Sequence, residues 1–76
     1  IAFMKVGDKV LVKDNLKEVM ERIGFEKECI ENFVPRFVGT VQEIFSIWHS
    51  DDSDTDYATV DLCCEIPLEC LEAVSS

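Results

Sequence analysis

After Arg36 the chain has no lysine and no arginine. All seven basic residues lie within residues 1–36, and with the eight carboxylates of residues 1–48 they leave −1 over that stretch. Residues 49–76 hold the other eight carboxylates, Asp51, Asp52, Asp54, Asp56, Asp61, Glu65, Glu69 and Glu72, and a charge of −8. Nucleic acids and anionic membranes both require clustered cations. This lack argues against either as the main target. It favours a basic protein surface, a divalent cation or plain solubility. No apolar run approaches the ~18 residues of a membrane span. There is one histidine and no glycine-rich phosphate loop, so neither a catalytic histidine pair nor nucleotide chemistry has a motif to stand on.

The start, IAFMKVGDKV, lacks the basic end and long apolar stretch of a signal peptide. Met4 reads as a natural start, with Ile1 to Phe3 a remnant ahead of it. Four cysteines (Cys29, Cys63, Cys64 and Cys70) lack the spread of a disulfide scaffold, so reduced thiols and a cytoplasmic location are expected. At 76 residues, 47% of them hydrophobic, the chain is expected to fold as one domain over its whole length. A domain this small buries only ~60% of its unfolded surface, which makes each core residue count.

Lys5 to Lys13 alternates, with Val6, Val10 and Val12 on one face and the lysines on the other, which predicts a strand whose lysines discourage edge pairing. Asn15 and Glu18 form a capping-box pattern. Leu16, Val19, Met20 and Ile23 then follow at helical spacing, and Gly24 is placed to end that helix. Phe25, Cys29, Ile30 and Phe33 predict a second, weaker helix that Pro35 terminates. RFVGTVQEIFSIW, residues 36–48, predicts a long strand with a bend at Gly39 or a bulge near Gln42 and Glu43. HSDDSDTD, residues 49–56, reads as a long mobile loop joining it to a strand over residues 57–64. Glu65 to Leu68 reads as a tight turn into a last strand. The expected fold is therefore α+β, mostly β with a helical insertion. Strands fall near 5–13, 37–48, 57–64 and 69–74, and helices near 15–23 and 26–33.

In order along the chain, VGDKVLV, GTV, ATVD and IPLECLE resemble the SH3-like small barrels. The resemblance covers residues 5–13 and 36–74, with residues 14–35 as a helical insertion in place of a long first loop. It implies a small antiparallel barrel and a single-turn helix near Pro67 to Cys70. It implies no particular ligand, because this superfold hosts many kinds of binding.

Asp52, Asp54 and Asp56 alternate as in the opening of a calcium loop, but the glycine position holds Tyr57 and the closing acid position holds Cys63. Cys63, Cys64, Cys70 and His49 lack the paired spacing of a zinc site. No cofactor and no enzymatic activity are expected. Trp48 and Tyr57 flank the acidic segment, and a hairpin would bring them together. With His49, Asp51, Asp52, Asp54 and Asp56 they would suit a basic partner; alternatively Trp48 plugs one end of the barrel. The leading expectation is a non-enzymatic interaction module that contacts a basic partner surface through its C-terminal half. A nucleic-acid-mimicking decoy of a basic nucleic-acid-binding protein is the alternative, and a cation-responsive domain the third.

Overall fold

The computed structural model describes residues 4–61 and 64–74. The alternation at the start produces β1 (Lys9–Val12), which buries Val10 and Val12. The strand is shorter than expected. Val6 and Gly7 form a turn, closed by Lys5 N–H donating to Asp8 Oδ2 at 3.0 Å and Asp8 N–H to the Lys5 carbonyl at 3.1 Å. Val6 is consequently exposed rather than on the core face. Nor is β1 an edge: β2 and β5 flank it, and Lys9 pairs across the ladder with Glu43 at 2.9 Å.

Helix α1 (Leu16–Ile23) turns Leu16, Val19 and Met20 inward, as their spacing requires. It ends at Gly24 with φ 111°, where the Gly24 and Phe25 N–H groups both donate to the Met20 carbonyl at 3.1 Å. The expected side-chain cap at Asn15 does not form. Asn15 lies at φ −81°, ψ 3°, outside the extended region that aims a cap at the first turn, and its Nδ2 donates instead to the Glu69 carbonyl at 3.3 Å. Arg22 adds an ion pair to Glu69, tying α1 to the far end of the chain. A Cβ at Gly24 would meet nothing within 4 Å, so Gly24→Ala is expected to lower stability by about 1 kcal/mol through backbone strain alone, as a thermal melt would show.

Helix α2 (Lys27–Phe37) overruns the predicted stop at residue 33 and carries Pro35 within it. Its buried face is Ile30 and Phe37, with Phe33 and Val34 half-buried between them. Phe25 and Cys29, expected on that face, are exposed. The core accounts for this: with the helix continued past the proline, the Phe37 ring is buried.

Gly39, at φ 85°, turns the chain into β2 (Val41–Ser50), and Gly39 N–H donates to the Val12 carbonyl at 2.9 Å. The first residues of β2 pair with β1 and the remainder with β3 (Thr55–Val60). The register shifts between Ile44 and Ser46, so the bulge falls at Phe45, two residues beyond the expected position. Ile44 is buried and Ile47 packs against the core, while Phe45 and Trp48 face out. One inserted residue thus restores the apolar phase that simple alternation loses.

The strand expected over 57–64 is two strands. β3 ends at Val60 and Asp61 takes φ 52°; β4 (Cys64–Pro67) then pairs back on β3, with Tyr57 opposite Pro67. Leu62 and Cys63 lie outside the described residues. Residues 65–67 are therefore strand, not turn, and Pro67 is tolerated because β4 is an edge. A single 3₁₀ turn (Leu68–Cys70) follows, as the resemblance implied, and delivers β5 (Leu71–Ala73) to β1. The strand order is β4-β3-β2-β1-β5. The result is a small α+β domain whose five-stranded antiparallel sheet is not closed into the expected barrel. β4 and β5, of four and three residues, remain its two edges. No helix among the described residues is long and apolar enough to cross a membrane.

Candidate functional site

The expected eight-residue loop is a four-residue turn, because β2 runs on through Ser50 and β3 begins at Thr55. The turn, residues 51–54, closes with Asp54 in the left-handed region at φ 49°, which aspartate tolerates better than most residues. Thr55 Oγ1 donates to the Ser53 carbonyl at 2.9 Å and fixes the exit. Extending the ladder to the turn places Trp48 opposite Tyr57 and His49 opposite Asp56.

Trp48 and Tyr57 stack, with ring centroids 4.9 Å apart and planes 19° from parallel. Tyr57 is buried at 6% exposure, while the indole over it remains 40% exposed. Trp48 is therefore a surface aromatic resting on a buried one, not a plug. His49 Nδ1 lies 2.8 Å from Asp56 Oδ1. Its Nε2 is 3.3 Å from Asp54 Oδ1 and 3.7 Å from Asp51 Oδ1. Asp52 is exposed in the turn.

The two pairs do not share a face. Successive side chains leave a strand on opposite sides. The aromatic pair and the His49–Asp56 pair therefore stand back to back on the hairpin, with the turn carboxylates at its tip. Aromatics ringed by the carboxylates, as the sequence suggested, do not form.

The Asp56 hydrogen bond raises the His49 pKa above its ordinary 6.5. Partial desolvation opposes this, and the charges of Asp56, Asp51 and Asp54 add to it. The protonated imidazolium thus favours the folded hairpin. Its contribution is fully present below pH 6.5 and is lost as pH rises through the raised value. Titration of the His49 ring protons by NMR is expected to give a pKa above 6.5 that falls back toward it in Asp56→Asn.

No three His, Cys, Asp or Glu side chains among the described residues converge to hold a metal ion. Asp51 and Asp54 turn toward His49 instead of a common centre. Cys70 is buried near Lys13 and Arg22, with its thiol pushed up to about 11 by burial, and Cys64 lies on β4. Cys63, the remaining zinc candidate, lies outside the described residues.

Sequence reasoning missed a groove of about 340 Å³ that Trp48 and Tyr57 share with Phe25, Phe33 and Glu65. Phe25 lines it because Gly24 ends α1 one residue earlier, which leaves this ring outside both helices and 41% exposed. The available signal was an aromatic directly after a helix-ending glycine. That pattern points equally to a ring folded back on the helix. Compared with protein-family models, with curated proteins and with solved structures, the chain matches none.

Proposed function

We propose that this chain is a non-enzymatic protein-interaction module of SH3-like architecture that contacts a basic partner surface with its C-terminal half. Three features support the architecture: the strand order β4-β3-β2-β1-β5, a long bulged β2 shared between two pairings, and a 3₁₀ turn ahead of the last strand. The exposed Cys29 and buried Cys70, both free thiols, fit a reducing cytoplasmic compartment.

The observation that carries the binding reading is the β2–β3 tip. An exposed indole stands beside a turn bearing Asp51, Asp52 and Asp54, with Asp56 at its base; His49 lies within ion-pair distance of Asp51, Asp54 and Asp56 and offsets at most one of these charges. Such a surface attracts cations over roughly a Debye length, about 8 Å at physiological ionic strength. A partner captured from native lysate should present a basic face. Its affinity should fall as salt rises, and fall further when Asp51, Asp52, Asp54 and Asp56 are all changed to asparagine. Binding insensitive to both would overturn the reading.

A further inference from the structure

We infer that the groove between Trp48, Tyr57, Phe25 and Phe33 receives the guanidinium group of an arginine side chain on the partner, with Glu65 as its counter-ion. The inference rests on the proposed basic partner and names the group that partner inserts.

The groove combines two features that seldom coincide by packing alone. Four aromatic side chains line it, contributed by the α1–α2 connection, α2, β2 and β3. Among the described residues, the only charged side chain lining it is a carboxylate, Glu65, exposed on edge strand β4. Lys27 borders Phe25 in the neighbouring groove, but its ammonium lies 3.9 Å from Glu31. Aromatic faces carry negative potential and attract cations, and a carboxylate beside them adds a direct partner. An anion would meet π-faces and Glu65. An apolar side chain would leave Glu65 without a partner.

Among cations, guanidinium fits this lining best. It is planar and weakly hydrated, stacks on indole and phenyl faces, and donates two parallel N–H bonds to one carboxylate. Stacked on Tyr57, the Trp48 indole remains 40% exposed and lines the groove. The protein already makes one such contact internally, Arg36 Cζ standing 5.2 Å from the Phe37 ring centroid.

Trp48 is the sole tryptophan, so its fluorescence reports occupancy directly. The probe is the peptide acetyl-Gly-Gly-Arg-Gly-Gly-amide, titrated into the full chain alongside the isosteric citrulline peptide and the lysine and trimethyllysine peptides. The arginine peptide is expected to shift Trp48 emission saturably and to move the NMR resonances of Phe25, Tyr57 and Glu65. The citrulline peptide should bind at least about tenfold more weakly, having lost the charge. Trp48→Ala should weaken arginine binding about fivefold and Glu65→Gln about tenfold. Circular dichroism checks folding of both, and Glu65, being exposed, can be changed without touching the core.

Equal binding of the citrulline peptide, no saturable shift, or resonance changes away from the groove would each overturn the inference. Tighter binding of the lysine or trimethyllysine peptide would overturn the choice of guanidinium. The two readings fail separately. If the arginine peptide does not bind while the captured partner still depends on salt and on the turn aspartates, only the groove assignment falls. If the peptide binds while the partner ignores those aspartates, only the acidic contact surface falls.

Discussion

Phe37→Ala is expected to lower the free energy of unfolding by about 3–5 kcal/mol, the usual loss when a buried phenyl ring is deleted. Phe37 is only 2% exposed, its ring centroid lies 4.5 Å from that of Phe33, and it ends the buried face of α2. A small domain has about 5–15 kcal/mol in total, so the variant should be close to unfolding at 25 °C. Urea denaturation followed by Trp48 fluorescence measures the loss. Phe45→Ala is the matched control. The bulge turns Phe45 outward, 43% exposed, and its removal should change stability by less than about 1 kcal/mol. Equal losses in the two variants would contradict the register shift that separates them.

Pro35→Ala is expected to act in the opposite direction, raising stability by about 2 kcal/mol. Pro35 lies inside α2, where it has no N–H for the Glu31 carbonyl and its ring crowds that oxygen. Alanine is favoured over proline in a helix interior by about 3 kcal/mol. Proline returns about 0.4–1 kcal/mol of this by restricting the unfolded chain. Pro35 is exposed, so no core contact is lost with it. The same urea titration reads the gain. A loss of stability would mean that the proline sets a bend on which the packing of Phe33 and Phe37 depends.

These two residues mark the sharpest difference between the local pattern and the fold. By local rules Pro35 ends a helix and Phe37 begins a strand. In the folded chain the helix persists through Pro35, because continuing it two residues buries Phe37 beside Ile30, Val34 and the sheet. A buried phenyl ring is worth as much as the proline costs. The same contest recurs at residues 65–67. Pro67 signals a turn, yet pairing with Tyr57 is available on an edge where its missing N–H is not needed. At Phe37 the deciding partner is the sheet, remote in sequence; at Pro67 it is Tyr57 across the β3–β4 turn, outside the few residues that a turn signal spans.

The candidate site divides in the same way. That Trp48 and Tyr57 meet follows from two strands joined by a polar turn, and the charge boundary near Trp48 follows from composition alone. How many residues form the turn does not, because the ladder lengthens until cross-strand pairs such as His49 with Asp56 stop compensating for chain ordering. That those two pairs face opposite ways follows from strand alternation, but which of them shares the face of buried Ile44 depends on the bulge, which resets the phase at Phe45. The groove draws Phe25 and Phe33 from the helical segment to residues 15 or more positions away, and only packing of α2 against the sheet creates it.

The sequence by itself determined the elements whose apolar period and end signals lie within their own residues. β1 follows from its alternation, α1 from its apolar stripe and its end at Gly24, and the hairpin from an acidic turn between two β-rich runs. Tertiary structure alone decided the length of α2, the division of the third predicted strand, the position of the bulge, the open sheet and the Trp48 groove. Each of these sets a local preference of about 1–3 kcal/mol against burial of a ring or completion of a ladder, and in so small a core the long-range term prevails.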